Sequence, residues 1–162
     1  MDKFPITPEG YLKLEKEIKY LKTVARPAII KAIATARQFG DLSENAEYHS
    51  AREKQSLTES KLLDLEDKFS RSEVINYKQF TDKKIKFGAT VKLVDNYSDE
   101  ESIYNVVGEY EADISKKRIS ILSPIAKALI GKTIGDVVEV KTPKGNKSYE
   151  VLDVEYKEIH LE

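Results

Sequence analysis

The sequence predicts an α+β protein: an N-terminal antiparallel α-helical coiled-coil hairpin, followed by an antiparallel β-sheet wrapped on one short helix. Three observations carry this. Over residues 14 to 39 and again over 48 to 69, largely apolar seam positions recur at alternating spacings of four and three, which keeps one stripe of a helix facing a partner. From Lys86 onward the period changes to two, with runs rich in Val, Ile and Tyr separated by Gly, Asp, Ser and Asn clusters. Between the two helical runs stands Phe-Gly-Asp-Leu-Ser-Glu-Asn-Ala-Glu-Tyr, Phe39 to Tyr48, a stretch that turns one helix back along the other. The expected division is 1–76 for the hairpin with an acidic tip, 77–84 for a polar linker, and 85–162 for the sheet domain.

Thr7-Pro8-Glu9 opens the first helix. Thr7 can cap orphan amides, Pro8 suits the first helical position, and Glu9 suits the positive end of the helix dipole. Its seam reads Leu14, Ile18, Leu21, Ala25, Ala28, Ala32, Thr35 and Phe39. Pro27 lacks an amide hydrogen and clashes one turn back, so a kink or local break is expected there. Gly40 is placed to end the helix. The second helix has the seam Tyr48, Ala51, Gln55, Thr58, Leu62, Leu65 and Phe69, with Leu63 broadening the apolar face at the base. Its polar half lies near the turn.

In the sheet domain, strands are expected over 89–94, 103–107, 118–122, 136–141 and 149–156, with a hairpin turn at Pro143-Lys144-Gly145-Asn146. Ser123-Pro124 through Gly131 carries an N-cap, a proline at the first position, an apolar face and a terminal glycine, hence one short helix.

Composition narrows the function. No apolar run approaches the ~20 residues that span a bilayer, and the N-terminal residues show no signal-peptide pattern, so a cytoplasmic protein is expected. Zero cysteines exclude a disulfide scaffold and a thiolate zinc site, while His49 and His160 stand too far apart in the chain to suggest a metal cluster. The formal net charge of -1 gives no bulk attraction to nucleic acid, so any such contact must come from a local patch.

The candidate patch is the tip. Asp41 and Glu44 can form a capping box, with Asp41 accepting from the Glu44 amide. The same two carboxylates can also help hold a hard cation such as magnesium, although two acids bind it weakly and need others from a partner. Arg37 lies one turn before Asp41 and Arg52 two turns after Glu44, which in an antiparallel hairpin puts both behind the tip. They suit either a solvated face or a grip on phosphate. Tyr48 reads as seam and His49 as surface.

These residues resemble the bacterial Gre transcript-cleavage (transcription elongation) factors, of the GreA type. The resemblance runs through Thr7-Pro8-Glu9-Gly10-Tyr11, Arg26-Pro27, the decapeptide Gly40 to His49, Phe87-Gly88-Ala89-Thr90-Val91, and Ser123 to Lys132. It implies a factor that enters the secondary channel of bacterial RNA polymerase when the enzyme has backtracked and extruded the RNA 3' end. An FKBP-like C-terminal domain would dock at the channel rim. Asp41 and Glu44 would help coordinate a second Mg2+ shared with the polymerase active site, with Ser43 assisting, and Arg37 and Arg52 would contact the extruded RNA. The chain would then be a monomer with no cofactor of its own and no membrane contact, activating the polymerase in trans without being an enzyme itself. Glu53 after Arg52 keeps the patch sparse, as in the GreA type, and suggests short extruded RNAs. Three other readings stand beside it: a polymerase-inhibiting paralogue, a coiled-coil adaptor, and an FKBP-like prolyl isomerase or chaperone. Against the last, the chain has no tryptophan to floor such a pocket.

Overall fold

The computed structural model describes residues 2–161. It forms two compact units, one of residues 12–71 with Asp2, the other of residues 3–11 and 72–161. The first turn of the first helix therefore packs with the sheet, inside the stretch expected to belong to the hairpin. Among the described residues no helix is long and apolar enough to cross a membrane.

The helices are α1 (Pro8–Tyr20), α2 (Arg26–Arg37) and α3 (Ala46–Ser70). Between α1 and α2, Leu21–Ala25 form a π-helical turn in which the Arg26 N–H donates to the Leu21 carbonyl, five residues back. Pro27 accounts for its position: it cannot donate, and in a regular helix its ring meets a carbonyl one turn earlier, a conflict that a wider turn relieves. The expected break is thus a change of phase. A π turn takes up one extra residue, so the residues beyond it are displaced by one position around the helix. Ile29, Ile33 and Ala36 are buried, while the expected seam residues Ala28, Ala32, Thr35 and Phe39 are exposed, Phe39 at 73%.

α3 keeps its expected phase. Leu62 and Leu65 are buried, and Tyr48, Ala51, Gln55, Thr58 and Phe69 are half-buried. Leu63, expected to widen the apolar base, is instead 74% exposed, because with Leu62 on the seam a step of ~100° turns it to solvent. Ion pairs run between the antiparallel helices: Arg26 clasps Glu59 through two bonds of 2.8 and 2.9 Å, and Lys61 meets Glu17 at 3.1 Å.

The second unit holds a five-stranded sheet made of β3 (Thr90–Asp95), β4 (Glu101–Val107), β5 (Arg118–Ser120), β6 (Val137–Thr142) and β7 (Gly145–Glu155). Their order is β5-β4-β3-β7-β6. The sheet is not wholly antiparallel as expected, since β5 runs parallel to β4. The connection over residues 108–117 carries the chain back before it pairs, through a 3₁₀ turn at Ile114–Lys116 and a left-handed Lys117 at φ +61°. The helix α4 (Pro124–Leu129) forms as expected, with Ser123 Oγ accepting from the Ala126 amide at 3.3 Å. Ala126 and Leu129 join Val91, Leu93, Val106, Val151 and Val154 in one core.

Two features went unread in the sequence. A parallel ribbon joins β1 (Phe4–Ile6) to β2 (Ser72–Val74). The stretch expected as a polar linker begins with Tyr77, which is fully buried with Val107 and Ile159. The Tyr77 O–H donates to Glu9 Oε1 at 2.7 Å and its oxygen accepts from the Ile159 amide at 2.9 Å. Burial and the Glu9 bond hold its phenol well above the ordinary tyrosine range.

The start of α1 is capped by two distant parts of the chain. Thr7 Oγ1 accepts from the Gly10 amide at 2.9 Å, the expected N-cap bond. In a capping box a glutamate three residues on would reach back to the cap residue's own N–H. That position is Gly10, and Glu111 fills the space: a Cβ on Gly10 would lie 2.5 Å from Glu111 Cδ. Glu111 Oε2 accepts from the Thr7 N–H at 3.0 Å, while Oε1 is buried with no partner among the described residues. Burial raises the Glu111 pKa above the usual carboxylate value. A folded-state pKa above the unfolded one means that the native state binds more protons across that window, so stability falls as pH rises through it. Glu111→Gln keeps the acceptor for Thr7 and removes the buried charge. Urea unfolding should find the variant at least as stable as the wild type at pH 7, with its advantage shrinking as pH falls through the folded-state pKa towards the unfolded one. A gap that does not change with pH would mean that Glu111 carries no such linkage.

Candidate functional site

The tip is assembled from the ends of α2 and α3 and a turn between them. After Arg37 the last carbonyls of α2 are satisfied by tight bonds, Gln38 N–H to Thr35 and Phe39 N–H to Ala36, each 3.1 Å. Gly40 then adopts φ +113°, a conformation that L side chains rarely reach, with open space where a Cβ would stand. Asp41 returns to extended geometry and caps a 3₁₀ turn, Leu42–Glu44.

The expected capping box does not form. Asp41 Oδ1 accepts from the Ser43 amide at 3.0 Å and from Ser43 Oγ at 2.9 Å, and the Glu44 amide bonds to the Asp41 main-chain carbonyl. The cause is the tighter turn, which brings the second residue after the cap to the carboxylate in place of the third. Both Ser43 bonds favour the ionised form and hold the Asp41 pKa below its usual value. Asp41, Ser43 and Glu44 are all exposed, and the Glu44 carboxylate has no partner among the described residues.

The residue that starts α3 is Asn45, which was not among the expected site residues. Its Oδ1 accepts from the Tyr48 amide at 3.0 Å, and its Nδ2 donates to the Ala36 carbonyl at 2.6 Å. An asparagine followed by Ala46-Glu47, with an acid in the first turn, is a helix-start signal that could have been recognised.

The arginines come together as expected. Arg37 and Arg52 line one shallow, open concavity of about 250 Å³, with Ile30, Ile33, Ala34 and Gln55. The Arg37 guanidinium lies 5.8 Å from the centre of the Tyr48 ring. Arg52 forms no ion pair among the described residues. Tyr48 is half-buried in the seam, and its ring meets the His49 ring edge-on at 5.6 Å. His49 Nε2 lies 3.3 Å from the Ser43 carbonyl.

No group of three or more His, Cys, Asp or Glu able to hold a metal ion occurs among the described residues. Magnesium requires several oxygen ligands and keeps waters, so two exposed carboxylates fit a share in such a site and not a site by themselves.

Residues 4–74 match the family model for the transcription elongation factor N-terminal region, and residues 80–156 match that for the GreA/GreB C-terminal region. The chain belongs to the GreA/GreB family of transcription elongation factors. The GreA/GreB relatives include transcription elongation factor GreA of Rickettsia felis, 60% identical over 159 residues and aligned across 98% of each chain. GreA of Beijerinckia indica is 58% identical over 156 residues, covering 96% of this chain and 99% of its own. Among solved structures, the GreA factor homolog 1 (Gfh1) protein of Thermus thermophilus aligns over 94% of this chain and 99% of its own, at 26% identity and a TM-score of 0.43. Membership of the GreA/GreB family does not favour the prolyl isomerase reading.

Proposed function

We propose that this elongation factor works in the cytoplasm by entering the secondary channel of RNA polymerase and stimulating the polymerase's own cleavage of backtracked RNA. The observation that supports this best is the division of charge at the tip. Two exposed carboxylates stand in one turn, and the Asp41 charge is maintained by Ser43. Two guanidinium groups share a concavity behind them. Asp41 and Glu44 are the residues that would hold part of a Mg2+ shared with the polymerase, and Ser43 fixes the Asp41 carboxylate. When bound, a second metal stabilises the attacking and leaving oxygens of phosphodiester hydrolysis. Arg37 and Arg52 neutralise the phosphates of the extruded 3' end. The sheet unit serves as the docking part at the channel rim. Among the described residues no third acid, His or Cys joins Asp41 and Glu44 in a metal-holding group, which supports an activator and not a nuclease.

The test is release of RNA 3' fragments from a stalled, backtracked elongation complex in Mg2+. Release well above that of polymerase alone is expected on adding the protein. No acceleration, with binding to the complex retained, would leave the inhibitor or adaptor reading in its place.

A further inference from the structure

We infer that Asn45 is the positioning residue of the tip: its one side chain ties the end of α2 to the start of α3 and so fixes where Asp41 and Glu44 stand. This rests on the tip being the cleavage-assisting site. Asn45 is the one buried polar side chain of the hairpin unit among the described residues, 7% exposed. Both ends of its amide are used: Nδ2–H donates to the Ala36 carbonyl at 2.6 Å, and Oδ1 accepts from the Tyr48 amide at 3.0 Å. The Asn45 main-chain amide also meets the Leu42 carbonyl at 3.5 Å.

The turn Leu42–Glu44 is therefore closed at both ends, by Asp41 with Ser43 on one side and by Asn45 on the other. Capping alone does not require asparagine, since Ser and Asp accept about as well from a helix amide. Bonding a carbonyl across the hairpin as well requires a donor and an acceptor on one short planar group, which asparagine supplies and aspartate does not. The carboxylate of Glu44, which precedes Asn45, has no bonding partner among the described residues. The placement of its main chain comes from the neighbours.

The experiment compares wild type with Asn45→Ser and Asn45→Ala. Serine keeps a capping acceptor without the reach to Ala36, and adds no charge. In the free proteins, backbone 15N relaxation should show residues 41–45 ordered in the wild type and looser in both variants. With backtracked complexes, the concentration of factor for half-maximal effect should stay the same, while the maximal cleavage rate falls by about 10-fold or more and more Mg2+ is needed for half-maximal rate. A role in folding alone lowers the melting temperature but leaves the rate per bound factor and the Mg2+ requirement unchanged, and that result overturns the inference. Unaltered order of residues 41–45 in Asn45→Ser overturns it as well, independently of any cleavage measurement. If the wild type itself fails to stimulate cleavage while the variants still loosen the turn, the functional reading fails and the structural placement stands.

Discussion

Replacing Asp41 and Glu44 together by alanine is expected to abolish stimulated RNA release while leaving the folded protein and its binding to polymerase intact. The side chains carry little of the fold. Among the described residues the Asp41 carboxylate bonds only within its own turn, to Ser43, and the Glu44 carboxylate has no partner. The melting midpoint should therefore move little. Their chemical contribution is of a different size. A metal that stabilises developing charge supplies several kcal/mol at the transition state, so if the two acids help hold it as proposed, their loss should cost at least about 100-fold in rate. Single-turnover cleavage read at saturating factor separates this from a binding defect. Retained stimulation in the double variant would show that the tip acts by occupying space and not through its carboxylates.

Gly88→Ala should be the most damaging single-methyl change in the sheet unit. Gly88 has φ +89°, and a Cβ there would lie 2.1 Å from Tyr77 Cβ and 2.4 Å from its Cγ. Tyr77 cannot yield easily, because it is fully buried and bonded to both Glu9 and the Ile159 amide. The Gly88 amide is itself committed, donating to the Val106 carbonyl at 2.7 Å. Strain of backbone and clash together place the loss at about 4 kcal/mol or more, a fall in melting temperature on the order of 10 °C for a chain of this size. Gly131 is the control, with φ +84° and nothing within 4 Å of the position a Cβ would take. Gly131→Ala meets only the backbone penalty, about 1 kcal/mol. Equal losses in calorimetry would show that the approach of Tyr77 is not what demands glycine at position 88.

The parts of the fold legible in the sequence were those written in local periods. The seam of α3, the five strands and the capped helix after Ser123 each follow from spacing or from a short signal. What was missed depends on contacts or on backbone geometry that no period records. The alanine seam failed beyond Ala25 because the π turn shifts the phase, and periodicity assumes a constant one. The β1–β2 ribbon has strands of three residues, one of them containing Pro5, too short to show alternation. Tyr77 looked like part of a connector because its partners, Glu9 and Ile159, are far along the chain in both directions. At the tip the acids and arginines could be named from the motif, but a capping box presumes an α-turn where a 3₁₀ turn stands. Asn45 was hidden behind its charged neighbours, and its cross-hairpin bond to Ala36 has no local signature.

The extra residue accommodated before Pro27 has a consequence for anyone transplanting this rod. Each residue added to or removed from a helix rotates everything beyond it by ~100°. Arg37 lies beyond the π turn, whereas Arg52 lies on the other helix and is untouched by it. A hairpin rebuilt from an uninterrupted heptad template would bury Ala28 and Ala32 in place of Ile29 and Ile33 and would swing Arg37 out of the concavity it shares with Arg52. The aim of the tip is thus set by a wide backbone turn about four helical turns upstream of it, at a position that no inspection of the tip would single out.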